Sequence, residues 1–223
     1  MIKEREHHLI VAIGRLKGSG GTYIGKELAG RLGCAYLDRE ILLEAAKRLN
    51  QDANALEALD ESKLSFWDRI KLEYAQGLPS EAYVPPTLNL EDSKLYETEK
   101  EIVRDAVGRG PTVVVGRAGY SFLQDEAGLL SVFLHAPFER RVDRVMRIYG
   151  MTDRDEASRL VSDSDRHREG FVREVTGHAW LDPRHFHLSL DTWKLGPTVA
   201  LGIIENAAVA VKQEMLERSA VRV

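Results

Sequence analysis

The sequence has few of the features that mark a secreted, membrane-spanning or nucleic-acid-binding protein. It contains one cysteine, Cys34, among 223 residues, which excludes an internal disulfide framework and a four-thiolate zinc site. No apolar run approaches the roughly 18 residues that cross a bilayer, and the charged start MIKEREHH is unlike a signal peptide. The formal net charge of −4 provides no general attraction to nucleic acid or anionic lipid. We therefore expect a cytoplasmic protein with neither a nucleic-acid nor a membrane partner.

Segments with the composition of strands alternate with segments of helical periodicity. The predicted strands are 9–13, 35–38, 112–116, 130–134 and 187–191. The predicted helices are 24–32, 39–49, 94–109, 138–149 and 196–218, with two short helices within the strongly charged stretch 152–176. This alternation predicts a single α/β domain over 1–223, in which helices cover both faces of a parallel sheet to give three layers. Residues 50–96 are polar and irregular, which is typical of an excursion or lid.

A glycine-rich turn joins the first predicted strand to the first predicted helix. Its sequence, Arg15-Leu16-Lys17-Gly18-Ser19-Gly20-Gly21-Thr22, aligns with the nucleotide-binding loop G-x-x-x-x-G-K-[ST]. Gly20 and Thr22 match that pattern, whereas Arg15 replaces its first glycine and Gly21 replaces its lysine. A tight structural turn is the simpler interpretation of the glycines alone.

Two observations nevertheless favour phosphate binding at this loop. The four residues from Gly18 to Gly21 are all small, which is more than a turn requires and lets the backbone wrap an anion. Two cations, Arg15 and Lys17, lie in the same loop, and either could replace the missing lysine at the β- and γ-phosphates of a nucleotide. Thr22 is the candidate ligand for Mg²⁺.

Arginines follow the later strands and form a charged cluster in 152–176. Arg117 ends the third strand, at the sheet edge where ligands of α/β proteins bind. Arg140, Arg141 and Arg144 open the next helix, and their spacing suggests a shared anionic partner or a solvated face. The cluster Asp165, Arg166, Arg168 and Arg173 fits either a lid that stabilises transferring phosphate or a salt-bridged surface helix.

Taken in order, these motifs resemble the cytidylate kinase-like proteins of bacteria, which are relatives of the nucleoside monophosphate kinases in the P-loop class. The resemblance rests on four segments and on the order of the elements between about 9 and 212: Gly18-Ser19-Gly20-Gly21, Tyr36-Leu37-Asp38-Arg39-Glu40, Val115-Gly116-Arg117-Ala118 and Asp165-Arg166-His167-Arg168. It implies a P-loop kinase fold that uses ATP and Mg²⁺ and acts on small-molecule nucleotides. It also places 50–96 on the acceptor side and makes 152–176 the lid.

The resemblance assigns roles residue by residue. Asp38, Arg117 and Arg141 would bind the acceptor. Asp165 would orient the acceptor or the lid arginines, and Arg166, Arg168 and Arg173 would close over the transferred group. The sequence departs from true cytidylate kinases at three positions: Gly21 replaces a lysine, and Glu44 and Ser164 replace arginines. We therefore expect an acceptor pocket unlike theirs.

Two functions follow from these patterns. The first is an ATP-dependent phosphotransferase acting on a nucleoside monophosphate or a similar small phosphorylated acceptor. The second is a non-catalytic nucleotide-binding or regulatory protein, which the missing lysine favours because that charge stabilises the transition state. A homodimer is compatible with the sequence.

Overall fold

A computed structural model describes residues 7–38, 91–116 and 118–221 of the chain. Its strands are β1 Ile10–Arg15, β2 Ala35–Asp38, β3 Thr112–Val115, β4 Leu129–His135 and β5 Leu188–Asp191. They form one sheet in the order β2-β3-β1-β4-β5, and every neighbouring pair is parallel. The central strand β1 therefore ends at the middle of the carboxyl edge, where ligands bind in such sheets.

Helices cover both faces of this sheet. They are α1 Gly21–Leu32, α2 Glu91–Arg109, α3 Gly119–Phe122, α4 Phe138–Tyr149, α5 Arg154–Thr176, α6 Thr192–Leu195 and α7 Pro197–Val221. Val11 and Ile13 pack on the side of α1 and α7, and Ile10 and Ala12 pack on the side of α2. Because β1 is buried on both faces, its residues are apolar without alternation. The predicted three-layer α/β fold is confirmed.

The prediction of two short helices within 152–176 was wrong, because α5 is one helix of 23 residues. Ala157, Ser164 and Phe171 recur every seven residues on its buried side, so one continuous face packs against the domain. The Asp153 carboxylate caps its start by accepting from two backbone N–H groups, and Gly177 ends it with φ of 71°. The dense charges indicated exposure, but they do not interrupt a helix.

Two further differences concern the ends of elements. β1 continues to Arg15, two residues beyond the predicted end at Ile13, so Arg15 belongs to the strand and follows Val11 and Ile13 on the α1 side. Helix α2 begins at Glu91, whereas 94 was predicted. The predicted helix at 39–49 and residues 50–90 of the predicted insert lie outside the described residues.

Candidate active site

The phosphate loop, residues 15–22, crosses from the end of β1 to the first turn of α1. Gly18 and Gly20 have φ of 79° and 84°, in the left-handed region that favours glycine. The first helical hydrogen bond of α1 runs from the Ile24 N–H to the Gly20 carbonyl, at 3.0 Å. The N–H groups of Gly21, Thr22 and Tyr23 therefore have no acceptor within the helix, which is the arrangement that binds anions.

Ser19 stabilises this loop through its hydroxyl and its carbonyl oxygen. The residue is fully buried, and its hydroxyl donates to the Leu16 carbonyl at 2.8 Å. The Ser19 carbonyl accepts a 2.7 Å hydrogen bond from the hydroxyl of Thr192, which opens α6 directly after β5. Asp191 caps that short helix by accepting from the N–H groups of Trp193 and Lys194. The sequence segment Leu190-Asp191-Thr192 thus supports the loop from 173 residues away.

Two arginines of α4 donate hydrogen bonds to carbonyl oxygens of the loop. Arg141, with a side chain 7% exposed, donates through Nε to the Ala136 carbonyl and through Nη1 to the Lys17 carbonyl, both at 3.0 Å. Arg144 donates to the Gly18 carbonyl at 3.1 Å, and its Nη1 lies 2.9 Å from the position that a β-carbon on Gly20 would occupy. A shared anionic partner was predicted for Arg140 and Arg144, which lie on one face of the helix, but Arg140 lies against Trp193, so the two do not share a protein partner.

Asp165 joins α5, which lies within the predicted lid, to the same loop. Its carboxylate accepts from the Lys17 backbone N–H at 2.8 Å, from Arg141 Nη1 at 2.5 Å and from Arg168 Nη1 at 3.4 Å. The side chains of Asp165 and Arg168 are only 17% and 15% exposed. Three donors from the loop, α4 and α5 therefore meet at one largely buried carboxylate.

The other two lid arginines lie on a different side of α5. Arg166 and Arg173 are 73% and 67% exposed, and they pair with Asp163 and Glu169 of their own helix. Of the predicted cluster, the structure brings Asp165 and Arg168 to the loop and leaves Arg166 and Arg173 at the surface.

The two cations of the loop itself occupy different places. Lys17 Nζ lies 2.5 Å from the Tyr149 hydroxyl and 4.9 Å from the centre of that ring, at the far end of α4. The stem of Arg15 lies against the first residue of α1: a β-carbon on Gly21 would stand 2.8 Å from Arg15 Cγ. The structure thus places Arg15, and not Lys17, beside the position at which the standard loop carries lysine.

The expected acceptor residues are described in part. Asp38 ends β2 and is 3% exposed, and the Tyr36 hydroxyl lies 3.2 Å from its Oδ2 and 3.5 Å from the Thr22 carbonyl. Tyr36 therefore connects the end of β2 to the first turn of α1. Arg117 lies outside the described residues, and Arg141 has the protein partners given above.

An exposed aromatic side chain follows the residue that supports the loop, and no motif in the sequence singled it out. Trp193 directly follows the loop-supporting Thr192 and is 50% exposed. The Arg140 guanidinium carbon lies 4.4 Å from the centre of the Trp193 ring, in cation–π contact. The signal available in the sequence was the place of this tryptophan, directly after Leu190-Asp191-Thr192.

The described residues fit a nucleotide better than a protein-bound metal. Across 7–38, 91–116 and 118–221, no group of three histidine, cysteine or acidic side chains converges to hold an ion. A nucleotide-bound Mg²⁺ requires few protein ligands, since phosphate oxygens and water fill most of its octahedral shell. Thr22 lies in the first turn of α1, and its role as a ligand of such an ion stays a prediction.

A parallel sheet of this order, with a glycine loop after its central strand, defines the class of P-loop kinase-like proteins. The sequence profile of the cytidylate kinase-like family matches residues 10–194. The chain belongs to that family, and the predicted enzyme class, a kinase-type phosphotransferase, is confirmed at this level. No curated protein shows significant similarity to the chain.

The fold resembles solved structures, including those of two proteins from Eubacterium ventriosum and Thermus thermophilus. An uncharacterised protein from Eubacterium ventriosum is 20% identical with a TM-score of 0.67, over 90% of this chain and 98% of its own. The Thermus thermophilus protein TT1252 is 19% identical with a TM-score of 0.52, over 92% of this chain and 98% of its own. Within the described ranges, none of the helices has the length and apolar composition needed to traverse a membrane.

Proposed function

We propose that this protein transfers the γ-phosphoryl group of ATP, as its Mg²⁺ complex, to a nucleoside monophosphate or a similar small phosphorylated acceptor. An acceptor phosphate oxygen bonds to the γ-phosphorus while the bond from that phosphorus to the β–γ bridging oxygen breaks, and ADP leaves. The protein's own task in such a transfer is to position the reactants and to offset negative charge.

One observation carries this proposal: residues distant in sequence gather on a single phosphate loop. Arg144 of α4 reaches the Gly18 carbonyl, and Asp165 of α5 reaches the Lys17 N–H, with Arg168 beside it. A loop that served only as a turn would need no such set of cations. Their assembly beside helical N–H groups supports binding of a highly charged anion.

The remaining roles follow from position. Residues 15–22 would cradle the donor phosphates, with Thr22 near Mg²⁺. Asp38, the last residue of β2, would face the acceptor, and so would Arg117, which comes two residues after β3 in the sequence. Arg141, already engaged by three protein oxygens, would act by positioning the loop. Arg166 and Arg173 would reach the phosphates only if α5 rearranged, so Arg168 is the lid arginine that we expect to contribute most.

We infer that the donor base lies against the exposed ring of Trp193. Stacking of a base on an aromatic side chain contributes about 1–3 kcal/mol, so Trp193→Ala should weaken ATP binding by roughly tenfold or more. Inorganic triphosphate has no base, so its affinity should be unchanged. Equal losses for ATP and triphosphate would contradict the base platform and leave the phosphate site in place.

The acceptor differs from that of true cytidylate kinases on this account. Ser164 stands where their lid carries an arginine, and it is 4% exposed. A buried serine neither reaches nor charges an acceptor pocket. We therefore expect CMP to be a poor acceptor compared with another phosphorylated small molecule.

The test is a coupled assay that follows ADP release across ribo- and deoxyribonucleoside monophosphates and other phosphorylated metabolites. We expect ADP release that depends on one acceptor class and on Mg²⁺, reduced by roughly 10²-fold or more in Arg168→Ala. The matched control is Arg218→Ala, which removes an exposed arginine paired with Glu214 of its own helix. Acceptor-independent ATP hydrolysis, or none, would contradict the transfer.

A nucleotide-binding regulator is the second candidate, and Gly21 in place of lysine is the observation that favours it. Such a protein would bind ATP through the same loop and transfer nothing. ATP-dependent thermal stabilisation with no phosphorylated product from any acceptor would support this alternative and exclude the kinase.

A further inference from the structure

We infer that Arg15 and Gly21 form an exchanged pair, in which Arg15 supplies from the end of β1 the positive charge that lysine supplies at position 21 of the standard loop. This inference rests on the proposed function and identifies the cation of the same site. It turns the two mismatches to the loop pattern into one feature.

The first step is the reason for glycine at position 21. Gly21 lies in α1 and does not have the positive φ of Gly18 and Gly20, so its backbone would accept any residue. The neighbouring atoms, however, leave no room for a side chain at this position. A β-carbon there would lie 2.8 Å from Arg15 Cγ, 2.9 Å from Arg15 Cβ and 3.3 Å from Arg15 Cδ. The space beside Gly21 is therefore occupied by the stem of Arg15.

The second step is the reason for arginine at position 15. Arg15 is the last residue of β1, in register with Leu134 of β4, and lies on the side of the strand that faces α1. Glycine at this first loop position would leave the space over Gly21 empty. Arginine fills that space with its stem and brings a permanent cation to the N-terminal end of α1, where phosphate binds.

Three other cations lie at the loop: Lys17 within it, and Arg141 and Arg144 of α4. Lys17 Nζ is directed to Tyr149, and Arg141 is bonded to the Lys17 carbonyl and to Asp165. Arg144 donates to the Gly18 carbonyl and lies beside Gly20. Arg15 is thus the cation that shares the place of the absent lysine, and with Arg144 it flanks the bound phosphates.

The experiment measures dissociation constants for Mg²⁺–ATP and for adenosine in four variants. Arg15→Met keeps an unbranched stem beside Gly21 but removes the charge, so we expect ATP to bind about 10- to 100-fold more weakly and adenosine to be unaffected. Arg15→Lys keeps a cation and should stay within about tenfold of the wild type. Gly21→Lys alone should weaken ATP binding, because the new side chain and Arg15 compete for the same space.

The double variant Arg15→Gly with Gly21→Lys restores the standard loop and should recover most of the ATP affinity. Thermal unfolding of every variant without ligand separates loss of fold from loss of charge. A merely structural Arg15 would change the unfolding temperature but not the ratio of ATP to adenosine affinity.

The results separate two failures. If the wild type binds ATP and Arg15→Met binds it equally well, the exchanged pair is wrong and the proposed function stands. If Gly21→Lys binds ATP more tightly with Arg15 in place, the two side chains do not compete and the inference is again overturned. If the wild type does not bind ATP, both the exchanged pair and the proposed function fail.

Discussion

The substitution Asp165→Asn tests whether one carboxylate fastens the lid helix to the phosphate loop. It leaves the side chain's shape nearly unchanged and removes the charge that faces Arg141, Arg168 and the Lys17 N–H. Arg141 is 7% exposed, so its guanidinium would lose its anionic partner away from bulk water. Breaking a fully buried pair costs about 3–5 kcal/mol. Because Asp165 is 17% exposed, we expect about 2–4 kcal/mol.

The assay is unfolding followed by circular dichroism, both in denaturant and by heating. For a chain of 223 residues, this loss corresponds to a fall in the unfolding midpoint of about 5–15 °C. The matched control, Asp163→Asn, lies two residues earlier in the same helix and breaks an exposed pair with Arg166. It should cost less than about 1 kcal/mol.

A double-mutant cycle with Arg141→Met isolates the pair. The double variant should be less destabilised than the sum of the single variants, since neither charge remains without its partner. Unfolding of Asp165→Asn at the same midpoint as Asp163→Asn would refute the reasoning, because Asp165 would then behave as a solvated surface charge.

Three further predictions concern the loop and the core beside it. Gly18→Ala should cost about 2–4 kcal/mol in unfolding free energy, because it imposes a left-handed φ on alanine and puts a β-carbon 2.7 Å from the Arg141 carbonyl oxygen; a neutral result would contradict the described loop. Thr192→Val should cost about 1–2 kcal/mol and weaken ATP binding, since the Ser19 carbonyl loses its hydroxyl donor; unchanged binding would show that this brace does not set the loop. Burial raises the pKa of Tyr96 from 10.0 to about 12. The contribution of the neutral phenol to the free energy of unfolding should therefore be fully present below pH 10 and be lost as pH rises toward 12. The free energy of unfolding of Tyr96→Phe, measured against pH, should fall less over this range.

The layered fold could be predicted because each of its signals is local. β1 is apolar on both faces, and the spacing of Ile24 and Leu28 predicts the buried side of α1. The same local reading failed at α5, where charges conceal the buried seven-residue spacing from Ala157 through Ser164 to Phe171. The end of β1 was set too early because Arg15 is polar, although hydrogen bonding to β4 continues to that residue.

The site could be predicted only as far as its residue types. The glycine loop and the arginines of α4 were visible in the sequence, but which arginine reaches which atom depends on contacts across the fold. Thr192 supports Ser19 from 173 residues away, and no local pattern connects them. The direction of each lid arginine is likewise set by the packing of α5, which brings Arg168 to the loop and exposes Arg166.

The most direct measurement of the central claim is a crystal structure with Mg²⁺ and a non-hydrolysable ATP analogue. We predict that the β- and γ-phosphates lie against the backbone N–H groups of residues 18–22, with the Arg15 guanidinium in hydrogen-bonding contact with their oxygens. A triphosphate bound elsewhere, or one at the loop with Arg15 turned away and Lys17 in its place, would contradict it.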